Sequence, residues 1–249
     1  MSPRFAAILA FSLALAAGVS TLVAQPPAGD AAKGKGAAPG GAKGKGGTPG
    51  KQVAPRAGLF FKENWKQNDG GAEAKLTQAN VSDPNLELKL YGCGGPEGLL
   101  MTGNDNSDAN PTHTWTGVCE GPSMFALRHK TKLADLSTGN ARIKVNAKTS
   151  GFHELRMAVK TADGAWMVSD RTFGTPADFL VTEMAFADMR WIRLNAAKVV
   201  TTGNLLATAD LSAIDEIGFV DLMPGTGHGP GGWADVAQIE LYANAKDRQ

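Results

Sequence analysis

Residues 153–171, HELRMAVKTADGAWMVSDR, decide the fold. Leu155, Met157 and Val159 alternate with Glu154, Arg156, Ala158 and Lys160. A period of two sends successive side chains to opposite faces of a strand. Asp163-Gly164 then supplies the dipeptide that favours a tight hairpin turn, and AWMVSDR (165–171) resumes as the returning strand.

The same alternation recurs on both sides of this hairpin. LELKLYG (86–92) puts Leu86, Leu88 and Leu90 on one face, and ARIKVNA (141–147) sends Ile143 and Val145 inward with Arg142, Lys144 and Asn146 outward. THTWTGVC (112–119), MFALRHK (124–130), FLVTEMAF (179–186), MRWIRLN (189–195), AKVVTT (197–202), IDEIGFV (214–220) and DVAQIELY (235–242) complete the set. Residues 72–81 and 204–213 alone leave room for a helical turn. Roughly ten short strands at this spacing predict an all-β, two-sheet antiparallel β-sandwich of jelly-roll type. The missing strand–helix–strand alternation excludes a doubly wound fold, and no constant repeat points to a propeller or solenoid.

The segments LFFKENW, ADLSTGNARIKVNAKTSG, HELRMAVKTADGAWMVSD, DLSAIDEIGFVDL and DVAQIELYA together resemble a galactose-binding-domain-like jelly roll, over roughly residues 58–245. That group includes many carbohydrate-binding modules and secreted bacterial domains. The strand pattern and the closing cadence carry the resemblance, which supplies no catalytic residue. A likeness to secreted jelly-roll glycoside hydrolases holds at the level of fold alone.

Ahead of this domain, residues 1–24 carry a single charge, Arg4, before the apolar run FAAILAFSLALAAGV. A run of that length suits a secretory signal peptide better than a membrane span, so a secreted or periplasmic chain that is soluble after cleavage is expected. Residues 25–56 contain no aromatic residue and one large aliphatic, Val53, so the segment reads as a disordered Gly/Lys/Pro-rich tether. Six basic residues against Asp30 give the tether a net +5, leaving residues 57–249 at about −5. A mildly acidic domain argues against specific nucleic-acid binding. Cys93 and Cys119 are expected to form a disulfide in an oxidising compartment, two buried thiols being the alternative.

Two loops hold the candidate chemistry. PGTGHGPGGW (224–233) is followed by an alternating strand rather than a helix, and it lacks both the GxGxxG spacing and the phosphate-loop lysine. It therefore does not cradle phosphate. It offers Trp233 as a flat face for a sugar ring, with packing over the sandwich end as the competing role, and His228 beside it. In TGNDNSDANPTHTW (102–115), Asn104, Asn106 and Asp108 have the first three oxygen-ligand positions of a calcium loop. Ala109 and Trp115 stand where an EF-hand needs glycine and glutamate, which rejects that motif. A looser structural calcium, with Glu240 as distant ligand, is the remaining cofactor expectation, set against a hydrated Asx-rich turn. The same loop would otherwise bind a sugar, with His113 and Trp115 as its wall.

Glu154, Asp170, Glu183, Asp188, Asp221 and Glu240 lie on or near strands, but their spacing assigns no acid–nucleophile pair. Arg128, Arg156 and Arg193 each follow an aliphatic residue within a strand. Neighbouring strands would align them for an acidic saccharide, with Arg156 central; the competing reading pairs them with nearby carboxylates. The sequence thus predicts an exported non-catalytic module binding a polysaccharide or cell-surface glycan. A jelly-roll glycoside hydrolase and a structural envelope protein without a small ligand are the alternatives.

Overall fold

A computed structural model describes residues 55–67, 74–95, 98–103, 107–116, 119–224 and 232–248. The strands are β1 (Leu59–Glu63), β2 (Ala74–Lys75), β3 (Leu86–Gly92), β4 (Leu100–Thr102), β5 (His113–Trp115), β6 (Ser123–His129), β7 (Lys132–Asp135), β8 (Arg142–Thr149), β9 (Leu155–Thr161), β10 (Trp166–Thr172), β11 (Leu180–Ala185), β12 (Trp191–Asn195), β13 (Val200–Leu205), β14 (Ile214–Asp221), β15 (Ala234–Tyr242) and β16 (Asn244–Asp247). Single turns of 3-10 helix occupy Gln78–Asn80 and Phe186–Asp188. None of these helices is long and apolar enough to cross a membrane.

The strands form two antiparallel sheets. One runs β11-β8-β15-β5-β4-β2, with β1 sharing the edge of β15 with β5. The other runs β13-β12-β10-β9-β14-β6-β3, with β7 and β16 attached beside β14. Non-consecutive neighbours dominate: β14 lies between β6 and β9, and β15 between β8 and the β1/β5 edge. This is the interleaving of a jelly-roll sandwich. The predicted hairpin is present, Thr161 N donating to Ala165 O across a turn whose Gly164 has φ +94°.

Alternation fills the space between the sheets. Ile143, Val145 and Ala147 of β8 meet Leu155, Met157 and Val159 of β9 and Ile239 and Leu241 of β15 in one apolar core. The nine-stranded sheet carries a second cluster on its outer side, where Met124, Ala158, Val168 and Val220 are covered by Leu194, Ala196 and Val199. Val199 stands at φ 52°, so the strand predicted at 197–202 begins at Val200 instead. The strand predicted over 112–119 is shortened to His113–Trp115, and the helical room at 204–213 is bend and strand. Five further strands, β1, β2, β4, β7 and β16, most of them short or at an edge, raise the total above the roughly ten predicted.

Cys93 and Cys119 are bonded, with Cα atoms 5.6 Å apart, and tie the end of β3 to the segment before β6. Closing a loop of this size stabilises a chain by about 3 kcal/mol through lost unfolded-state entropy. The predicted signal peptide and all of the tether before Pro55 lie outside the described residues. Arg56, at the end of the predicted tether, pairs with Glu183 at 2.6 Å and lies over the Tyr242 ring.

Candidate functional site

The outer face of the seven-stranded sheet is polar because β8 and β15 alternate. Lys144, Asn146 and Lys148 of β8 point away from the core, between the buried Val145, Ala147 and Thr149. On β15 a strict period of two would send Asp235 and Gln238, three residues apart, to opposite faces. The register shifts between Val236 and Gln238, so Ala237 is an extra residue, a β-bulge. One inserted residue reverses the phase of the strand beyond it. Asp235, opposite Lys148, and Gln238, opposite Asn146, therefore share the outer face.

Trp65 braces the bulge. Its indole N–H donates to Val236 O at 3.0 Å, and its backbone N–H donates to Glu63 Oε1 at 2.7 Å. The residue stands at φ 55°, a left-handed conformation that a bulky side chain keeps only when its surroundings hold it. Glu63, fully buried, also accepts from the backbone N–H groups of Ser82 and Asp83.

Over the bulge lies a groove of about 380 Å³, lined by Asn64, Trp65, Asp108, Pro111, Thr112, Asn146, Ala237 and Gln238. Gln238 Nε2 donates to Asn64 Oδ1 at 2.7 Å, and Thr112 Oγ1 to Gln67 Oε1 at 2.8 Å. The Asn146 Oδ1 atom is buried and accepts no hydrogen bond among the described residues. Amides, a hydroxyl and an open carboxylate thus face a shallow, predominantly polar space, with Trp65, Pro111 and Ala237 as its apolar lining.

Toward the glycine-loop end, the same face carries a closed cluster. His113 Nδ1–H donates to Pro111 O at 2.6 Å, which leaves Nε2 facing Asp235 Oδ2 at 3.5 Å. Lys148 Nζ lies 3.4 Å from the same oxygen. Burial pushes the Asp235 carboxyl up to about 7, against the opposing pull of Lys148. Burial also holds the His113 imidazole down at about 4, reinforced by the Lys148 charge and opposed by the Pro111 hydrogen bond.

The predicted site residues fall in several places. Asp108 is exposed and lines the groove, and His113 sits in the cluster beside it. Trp115 is buried, so it presents no open wall to a sugar in this conformation. Trp233 is half-buried, and its carbonyl accepts from Ser150 N at 2.9 Å. His228, Asn104 and Asn106 lie outside the described residues. Arg156 belongs to the other sheet, where it donates to Glu154 Oε2 and to the carbonyls of Ser169 and Asp170. Arg128 faces Glu216 and Arg156 faces Val220, four residues apart on β14. That spacing, ~13 Å along a strand, rules out the arginine row.

Glu240 is saturated by Lys62 at 3.1 Å, Lys144 at 3.2 Å and the Tyr242 hydroxyl at 2.6 Å. Burial pushes its carboxyl up, but these three partners outweigh it and hold the group at about 2. Two ammonium groups at that carboxylate do not fit a calcium ligand. Among the described residues no three His, Cys, Asp or Glu side chains converge on a metal-sized site. Of the carboxylates considered as a hydrolytic pair, Asp170 is paired with Arg190, Glu183 with Arg56, and Asp221 with His153 at 2.5 Å.

Sequence reading did not single out Asn64, Gln238 or Phe152. Phe152 is 87% exposed, on the turn between β8 and β9. Gly232 packs against that turn so closely that a Cβ would fall 2.2 Å from Ser150 O, which fixes glycine there. An exposed phenylalanine on a turn gives no periodic signal, and Asn64 and Gln238 meet across 174 residues of chain.

No protein-family model matches the chain, and no curated protein matches it in sequence. Solved structures with a similar strand arrangement include the Family 11 carbohydrate-binding module of the cellulosomal cellulase Lic26A-Cel5E of Clostridium thermocellum. It shares 16% identity over 70% of this chain and 96% of that one, with a TM-score of 0.39. TmCBM61 in complex with β-1,4-galactotriose shares 11% identity over 65% and 90%, with a TM-score of 0.28. An exo-β-agarase shares 11% over 72% of this chain and 25% of its own, with a TM-score of 0.35.

Proposed function

We propose that the chain is an exported, non-catalytic carbohydrate-binding module whose saccharide lies along the outer face of the seven-stranded sheet. The groove over the Ala237 bulge carries this reading. It sets amide donors and acceptors from Asn64, Asn146 and Gln238, the Thr112 hydroxyl and the Asp108 carboxylate around Trp65, Pro111 and Ala237. Sugar hydroxyls both donate and accept, and such a mixed set of amides, a hydroxyl and a carboxylate answers them. Among the described residues Asp108 is the one carboxylate lining the groove, whereas glycoside hydrolysis uses two flanking the scissile bond. The apolar run of residues 5–19 and the Cys93–Cys119 bond support export to an oxidising compartment, secreted or periplasmic.

Native gel electrophoresis of the full chain through soluble polysaccharide tests the reading. Mixed-linkage β-1,3-1,4-glucan and β-1,4-galactan are the first two gels, alongside a wider neutral panel. Retardation in at least one gel is expected, and the double substitution Asn64→Ala, Gln238→Ala should weaken it at least ten-fold while the fold is kept. Free mobility in every gel would sink the proposal.

A further inference from the structure

Behind the groove, Asp235 is a buried carboxylate with an unmet need. Its residue is 1% exposed, both its neighbours approach Oδ2, and Oδ1 accepts no hydrogen bond among the described residues. Asn146, one outward-facing position from Lys148 on β8, leaves a second buried acceptor, Oδ1, without a donor. Two unmet acceptors on one face of one sheet are expensive, because each forfeits its hydration without a replacement bond.

An aromatic ring packs on the two side chains next to these acceptors, His113 and Lys148. Phe179 stands edge-on to His113 with ring centroids 4.9 Å apart, and Lys148 Nζ lies 4.7 Å from its centroid. Phe179 ends the strap that leaves β10 at Phe173, passes Pro176, whose carbonyl accepts from Thr149 N at 2.8 Å, and enters β11. The strap around it, Gly174, Thr175, Ala177 and Asp178, is exposed. Phe179 itself is half-buried and held by ring contacts, not by a side-chain hydrogen bond.

We infer that the face carrying Asp235, Asn146 and Lys148 is a second saccharide subsite, joined to the groove through Asn146, and that Phe179 is the side chain a sugar ring displaces to reach it. The inference rests on the groove reading above and extends it. Asp235 Oδ1 and Asn146 Oδ1 accept from ligand hydroxyls, and Lys148 donates to a ring or glycosidic oxygen. The charges select the class of ligand. Lys148 and Asp235 pair with each other, so neither offers a free charge to an ionic ligand, and a neutral polyol brings the hydrogens that both oxygens lack. The ligand is therefore a neutral glycan without carboxylate or sulfate at this residue.

Affinity electrophoresis of the full chain in β-1,4-galactan and mixed-linkage β-glucan gels, with thermal melting in parallel, tests the subsite. Asp235→Asn keeps the shape and removes the buried charge, so it should raise the melting temperature at pH 8 while weakening retardation roughly ten-fold or more. Phe179→Ala removes the plug and should strengthen retardation at least three-fold. Wild-type retardation that Asn64→Ala, Gln238→Ala abolishes but Asp235→Asn and Phe179→Ala leave unchanged would overturn the subsite and spare the groove. Wild-type chain running freely in both gels and in the wider panel would end both.

Discussion

The outer faces of the two sheets meet the same requirement, covering a sheet that already has a core behind it, by different means. On the nine-stranded sheet, Arg128 bridges Glu87 and Asp215, Arg248 closes on the same Asp215, and Tyr91 and Lys160 share Glu216. Burial pushes Asp215 up, but the two guanidiniums outweigh it and hold its carboxyl below the ordinary range. Beside this network, Met124, Ala158, Val168 and Val220 lie under Leu194 and Val199. Arg248 Nε is the atom left without a partner there. The seven-stranded sheet instead leaves an open amide groove and two acceptor oxygens unmet. On the first face the carboxylates are met by the sheet's own cations, and on the second two buried acceptors have no donor among the described residues. Regions kept for binding are commonly those where internal satisfaction is incomplete.

The sharpest break in this comparison is Met124→Ala. Met124 is 1% exposed in the second apolar cluster, so its truncation should cost about 2–5 kcal/mol, read as a lowered urea midpoint. Glycan retardation measured well below that midpoint should not change. A loss of binding in the folded variant would show that the two faces are coupled.

Asp235→Asn comes next, with the opposite sign. Folded Asp235 keeps its proton to about 7 against 3.8 unfolded, so the stability that proton confers is lost as pH rises across that span. His113 is held at about 4 against 6.5 unfolded, so it costs stability as pH falls across its span. Between about pH 4 and 6.5 the two effects cancel, since folded and unfolded chains each bind one proton on the pair. The net loss in the wild type should appear between roughly pH 6.5 and 7.5. The asparagine variant should lack that step and exceed the wild type by about 2 kcal/mol at pH 8. Chemical denaturation at pH 5.5 and pH 8 measures both; equal stability at pH 8 would mean the charge is already compensated.

The smallest stability effect belongs to Gln238→Ala. It removes a rim hydrogen bond to Asn64 worth about 0.5–1 kcal/mol, yet glycan retardation should fall several-fold. A large shift in the urea midpoint would move Gln238 from the binding face to the structural one.

Local alternation made much of the fold legible. Ile143, Val145, Leu155, Met157 and Val159 are inward-facing as their period demands, and the Asp163-Gly164 turn pairs β9 with β10. These features depend on residues a few positions apart, so a single stretch of chain determines them. The Cys93–Cys119 bond follows the expectation drawn from two cysteines in a chain whose first residues read as an export signal. The site depends on longer distances. The Ala237 bulge interrupts a run that reads as unbroken alternation, and only pairing with β8 shows that Asp235 and Gln238 share a face. Nothing near Trp115 in sequence reports that it is covered, and nothing near Phe179 reports that it lies over His113 and Lys148. Composition and period determined the sandwich by themselves, because strand formation answers to neighbours along the chain. Which polar groups remain unmet was decided by the tertiary structure, because satisfaction is a property of what lies across the sheet.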